Sequence, residues 1–170
     1  MTKTALLILW FMQAMCSQTK ETREARLWPL AFEVAIQATS PQEAAFALAQ
    51  GWGESRFDRD VMWLNCRPGM CDPISGTKLH RARGPWQPHD AKDDPEWSEL
   101  WHSIRGQASV AEMVRLQLKT QRIYLDMCDG NTLEAFGAHG GGGCEPTERS
   151  AQREARRRHI LSRLRGVWGK

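Results

Sequence analysis

Apolar positions recur at helical spacing along most of the chain. After Pro29 the run LAFEVAIQA predicts a helix, and a second is signalled more fully: Ser40 to cap, Pro41 in the first turn, Glu43 to close a capping box, then the apolar run AAFALAQ. Gly51 or Gly53 ends that helix, which leaves Glu54 at or just beyond its C-terminus, beside Trp52 and Phe57. From Met62 to Gln87 the period disappears among Pro, Gly, Asn and Asp, so an irregular lobe or short hairpin follows. Asp94-Pro95 opens a further helix through Ile104. Ser109 and Glu112 form another capping box ahead of Val110, Met113, Val114, Leu118, Leu125 and Cys128, which keep helical spacing. A short turn at Asn131–Phe136 and the loop GAHGGGGCEP come next, and Ile160, Leu161 and Leu164 give a last helix its apolar stripe. No internal repeat is visible. The predicted fold class is mainly α, a helical domain with one small irregular or hairpin lobe after the second helix.

The N-terminus reads differently. MTKTALLILWFMQAMC has one Lys and an apolar run from Ala5 to Met12, well short of the roughly 20 residues of a spanning helix. Ala14-Met15-Cys16 offers small side chains at the two pocket positions of an A-x-A-like cleavage site, so residues 1–16 read as a signal peptide. A short hydrophobic anchor or a core helix is the alternative. Gln13 and Met15 fit poorly before a lipidated Cys16. Residues 17–170 then form a single domain, as a length of 170 residues suggests.

Composition narrows the class. Hydrophobic residues at 41% and charged residues at 25% argue against both disorder and a multi-span membrane protein. The net charge of +3 is mild, but seven Arg lie between Arg149 and Arg165. That basic face suits a solvated helix surface, nucleic acid, lipid headgroups or an anionic wall polymer. Without Cys16, four cysteines remain, which allow three pairings. Cys66 with Cys71 and Cys128 with Cys144 are the local ones, each stapling a loop in an oxidising compartment. Zinc is a poor rival, since the C-x4-C spacing has no matching pair and His139 near Cys144 makes no ligand pattern.

Two stretches carry candidate chemistry, Glu54-Ser55-Arg56-Phe57 at a helix end and Gly84-Pro85-Trp86-Gln87 after the irregular lobe. In that order they resemble the soluble lytic transglycosylase branch of the lysozyme-like superfamily, where a Glu in an E-S-x-F pattern faces a G-x-x-Q segment across a glycan cleft. Ala135-Phe136-Gly137-Ala138-His139-Gly140 echoes a third motif, Ala-Tyr-Asn-x-Gly. The resemblance covers roughly residues 29–165. It departs at Phe136, which lacks the family's Tyr hydroxyl, and in a longer lobe with two Cys.

The resemblance implies an α+β lysozyme-like fold and an exported peptidoglycan lytic transglycosylase. Such an enzyme cleaves the MurNAc-β-1,4-GlcNAc bond and leaves 1,6-anhydro-MurNAc ends, with Glu54 as acid and then base. The acid must hold its proton near neutral pH. A helix C-terminus disfavours an anion, and packing against Trp52, Trp63 or Trp86 desolvates the carboxyl. Ser55, Gly84, Trp86, Gln87, Phe136 and Trp63 are the implied substrate contacts; Ser55 and Gln87 also suit ordinary turn chemistry. Sugar faces stack on indole, so Trp86 and Trp63 are placed in the cleft and Trp97 and Trp101 in the core.

A hydrolytic muramidase is the alternative, and it needs a second carboxylate. Animal c-type lysozymes carry one two residues before the Gly of the second motif, where Ala82 stands here. Asp72 is the best remaining choice, ahead of Asp58, Asp60 and Asp90. A third reading is a non-catalytic glycan- or nucleic-acid-binding protein that uses the Arg-rich helix. The expected partner is the peptidoglycan strand, with no nucleic acid, no cofactor, no metal and no membrane span after signal cleavage. Localisation would be the periplasm, the cell envelope or outside the cell. An envelope or virion assembly partner and a phage origin both stay open. The run Gly140–Gly143 lacks the G-K-[ST] of a phosphate loop and is read as a cleft-edge loop.

Overall fold

Caps decide where the helices begin, and they decide it close to where the sequence does. The computed structural model describes residues 3–16, 20–57, 86, 109–141 and 143–168. Within them lie α1 (Lys3–Met15), α2 (Lys20–Gln37), α3 (Pro41–Glu54), α4 (Val110–Met127), α5 (Thr132–Gly141) and α6 (Glu148–Leu164). At α3 the Ser40 Oγ accepts from the Glu43 N–H at 3.2 Å. The Glu43 carboxylate reaches back to Thr39, accepting from its N–H at 2.6 Å and its hydroxyl at 3.0 Å. At α4 both halves of the Ser109–Glu112 capping box form. At α6 Thr147 and Ser150 do the same, with Ser150 in the place usually held by Glu or Gln.

Every residue of α3 from Glu43 to Gly51 is buried. A helix buried all round must be surrounded, and α3 is central. Ile8, Phe11 and Met12 of α1, Leu30 and Val34 of α2, Val114 of α4 and Ile160 and Leu164 of α6 join its Ala44, Ala45 and Leu48 in one core. A smaller cluster lies on another side, where Phe46 of α3 stacks on Phe136 of α5 with ring centroids 4.1 Å apart. The described residues are mainly helical and include no strand.

Two elements differ from expectation. Helix α2 begins at Lys20, so Pro29 lies inside it. An interior Pro removes one helical hydrogen bond and costs ~3 kcal/mol or more; burial of Leu27, Leu30, Ala31 and Val34 along that helix offsets it. The segment expected to be a turn and a Gly-rich loop forms α5, because Ala135, Phe136 and Ala138 are buried against its neighbours. The N-terminal run forms α1, packed on α2 with Ala5, Ile8 and Met12 wholly buried. Cys16 is buried too, its Sγ 3.5 Å from the Phe57 carbonyl oxygen. No helix among the described residues is long and apolar enough to cross a membrane. The lobe expected between Met62 and Gln87, apart from Trp86, and the helix expected from Asp94 lie outside the described residues.

Candidate functional site

Glu54 is the last residue of α3, and four helices meet around it. One turn earlier on the same helix, the wholly buried Gln50 donates from Nε2 to Glu54 Oε1 at 3.2 Å. From α6 the Arg153 guanidinium reaches the same oxygen at 2.5 Å and donates to Gln50 Oε1 at 3.3 Å. From α5 the His139 Nε2 lies 3.6 Å from Oε1. The imidazole meets the Tyr124 ring of α4 edge to face at 5.6 Å. Glu54 itself keeps 20% of its side chain open to solvent, against 8% for Arg153 and 6% for His139. It is more accessible than the buried Gln50, Arg153 and His139 that contact it.

Glycine makes two close approaches at this helix end possible. A side chain at Gly53 would collide with the Arg153 guanidinium, so its absence opens the path to Glu54. A Cβ on Gly51 would lie 2.6 Å from Phe57 Cζ and 3.0 Å from Trp86 Nε1, which both press on α3 from beneath. The turn after the helix is tight. Ser55 N–H and Oγ both donate to the Gly51 carbonyl, at 3.0 and 3.2 Å, and the same Oγ accepts from Phe57 N–H at 3.1 Å. Arg56 and Phe57 then take φ of 50° and 53°, a left-handed region that few residues other than Gly adopt.

The electrostatics of Glu54 are opposed. Burial pushes its carboxyl above the ordinary value, while the charge and hydrogen bond of Arg153 and the charge of Arg149 pull it back without cancelling the rise. Burial and then the Glu54 charge push the Tyr124 phenol up. Chemically the arrangement is a desolvated carboxyl, reachable from solvent, able to hold a proton and equally provided with cations to stabilise its loss. Among the described residues no group of three or more His, Cys, Asp or Glu is placed to hold a metal ion.

The other expected site residues distribute unevenly. Ser55 is buried in the turn described above. Trp86 is a correction to the expected cleft wall: it is 1% exposed, and its Nε1 donates to the Ala47 carbonyl at 2.6 Å, so it is a core residue. Phe136 is likewise 2% exposed beneath Phe46, and neither ring offers a face to a sugar. Trp63, Asp72, Gly84, Gln87 and the Cys66 and Cys71 pair lie outside the described residues. Cys128 and Cys144 form a disulfide. Sequence reasoning missed Gln50, Tyr124, His139 and Arg153. The one readable signal was on α6: Arg153, Glu154 and Arg157 stand seven residues before Ile160, Leu161 and Leu164, on the same inward face. A cavity of about 340 Å³ lined by Ser40, Glu43, Gln121 and Arg122 lies at the other end of α3 from Glu54. Comparison with protein-family models, curated proteins and solved structures finds no match.

Proposed function

We propose that the protein cleaves a β-1,4-linked peptidoglycan strand with Glu54 as general acid and then general base, in the manner of a lytic transglycosylase. The observation that carries the reading is the Glu54 carboxyl itself, desolvated at the end of α3, raised in pKa against the pull of Arg153, and still reachable from solvent. In the first step the protonated carboxyl gives its proton to the glycosidic oxygen as the bond from that oxygen to the muramic C1 breaks. The GlcNAc end leaves as an alcohol, and C1 becomes oxocarbenium-like. In the second step the ionised carboxylate takes the proton of the muramic 6-hydroxyl as that oxygen bonds to C1. An anhydro ring forms, and Glu54 is protonated again. Water is not consumed and no second carboxylate is required, which agrees with Ala82 standing where c-type lysozymes carry an acid.

Arg153 serves the first half of the cycle, since its cation stabilises the carboxylate that forms as the proton leaves. Digestion of purified peptidoglycan by the full, oxidised chain, read by mass spectrometry, should give muropeptides lacking one water relative to a lysozyme digest. Glu54→Gln should abolish cleavage while the chain still folds, and clearing at the parent rate by that folded variant would end the proposal. Reducing muramic ends would instead assign the muramidase reading and make Asp72 the next residue to change.

A further inference from the structure

The arginines around Glu54 fall into two sets. Arg153, Arg157 and Arg158 of α6 are paired, the first with Glu54 and the other two with Glu154 at 2.6 and 2.7 Å. Arg149 and Arg156 of the same helix, and Arg56 from the turn after α3, pair with no acid among the described residues. All three border the Glu54 site. Arg149 is near enough for its charge to act on the Glu54 carboxyl. Arg156 lies with its guanidinium carbon 3.8 Å from the centre of the Trp52 ring, two residues before Glu54 in the chain. Arg56 is two residues after Glu54, exposed, and held at a φ of 50° by a turn whose next residue, Phe57, is wholly buried.

This arrangement is costly as it stands. Left-handed backbone at two consecutive residues other than Gly stores strain, and such strain clusters at ligand clamps. Burial and then the charge of Arg56 hold the Arg156 guanidinium below its ordinary value, so the two cations repel. A like-charged pair kept beside an aromatic face, with no acid paired to either cation among the described residues, is relieved by an anion from outside.

We propose that Arg56, Arg149 and Arg156, with Trp52, form an anion-binding subsite beside Glu54 that takes a carboxylate or phosphate carried on the glycan. For the substrate class this rests on the reading of Glu54 above; for the anion it rests on the arginines alone. The subsite gives the enzyme a means of selecting a charged wall glycan over a neutral one with the same β-1,4 backbone. The planar forks of Arg suit either anion, and the Trp52 face holds the Arg156 guanidinium 3.8 Å from its ring centre.

Binding measured without cleavage separates the two proposals. The full chain carrying Glu54→Gln is titrated with four probes: glycan strands stripped of stem peptides, which bear carboxylates only; the same strands with an attached phosphodiester wall polymer; neutral chitin oligomers; and duplex DNA. The charged strands should bind about 10-fold or more tighter than chitin, with affinity that falls as salt rises. Adding R56Q and R156Q should remove about 10-fold per arginine from the charged strands, flatten the salt dependence and leave chitin unchanged. The Lys pair R56K and R156K, which keeps charge without fork or stack, should fall between, and circular dichroism confirms that each variant is folded. Loss confined to the phosphodiester strands names phosphate as the anion, and loss on the stripped strands names carboxylate. Unchanged affinity and salt slope in the folded Gln pair overturns the subsite, even where the Glu54 chain without substitutions cuts glycan. Arginine dependence seen with DNA alone overturns the glycan assignment. Tight, arginine-dependent glycan binding by a chain that never cuts its ligand would sink the Glu54 mechanism and keep the subsite.

Discussion

Removing Arg153 tests the network around Glu54 most directly. The Arg153 nitrogen lies 2.5 Å from Glu54 Oε1, with side-chain exposures of 8% and 20%. Opposite charges with centres about 4 Å apart attract by about 4 kcal/mol at an effective dielectric of about 20. Breaking such a pair from one side costs about 3–5 kcal/mol, because the remaining charge stays buried. Arg153→Met should therefore destabilise the fold by about 3 kcal/mol, the low end, since Glu54 escapes part of the cost by taking up a proton. Glu54→Gln should cost less, about 1–2 kcal/mol, because the amide oxygen still accepts from Arg153. The double variant should cost about 2–3 kcal/mol less than the two singles together. Urea unfolding of the four chains at pH 7 gives the cycle, and additivity within about 0.5 kcal/mol would refute the coupling. The pH dependence carries the sign. A carboxyl raised in the fold stabilises it below the ordinary value of 4.5, and that stability is lost as pH rises through the folded value. With Arg153 gone the rise is larger. Arg153→Met should lose more stability than the parent between pH 5 and 8, by roughly the coupling energy, and the alkaline limb of its cleavage profile should move to higher pH.

Three further outcomes follow from the same contacts. A chain lacking residues 3–15 gives up the burial of Ile8, Phe11 and Met12, about 5–9 kcal/mol at 1.5–3 per large side chain; it should melt far below the full chain and bind an apolar dye, and an unchanged melting temperature would remove α1 from the core. Replacing both Cys128 and Cys144, 16 residues apart, by Ser should cost about 3 kcal/mol by thermal melting. Burial pulls the Glu154 carboxyl up, but hydrogen bonds from Arg157 and Arg158, the Arg157 charge and the Thr132 hydroxyl outweigh it and hold it at about 2. Its contribution is present above 4.5 and lost as pH falls towards 2, so Glu154→Gln should flatten the acid limb of a stability curve across that window.

The parts of this fold legible in the sequence are those that local chemistry decides. Ser40, Pro41 and Glu43 announce the start of α3 because a cap satisfies donors within one turn, and Glu54 falls at its end as expected. The apolar stripe of α6 and the Cys128 to Cys144 bridge were readable for similar reasons. Local chemistry misleads where distant burial wins. Pro29 reads as a helix start, yet α2 runs through it, and the glycines after Phe136 read as a loop, yet burial of Ala135, Phe136 and Ala138 extends α5 to Gly141. Trp86 has no period around it to say which way it faces, and the fold turns it inward onto Ala47. Arg153 was hidden differently. Among seven arginines in a row of helical turns, only its place seven residues before Ile160 marked it as inward-facing.

That hidden arginine decides how the proposed chemistry can run. A carboxyl that must give a proton and then take one back is poorly served by an environment that favours a single state. Burial alone would hold Glu54 protonated and reluctant to release its proton; Arg153 alone would hold it ionised and reluctant to take a proton back. Here the two act on the same group in opposite directions, with burial ahead. The carboxyl is thereby shifted towards the proton-holding form needed first, while the cation that stabilises the carboxylate left behind is already in contact. Gly53 is what lets both hold at once. A methyl group there would push Arg153 away from Glu54 and leave burial opposed only by the charge of Arg149, so the residue beside the acid tunes it by lacking a side chain.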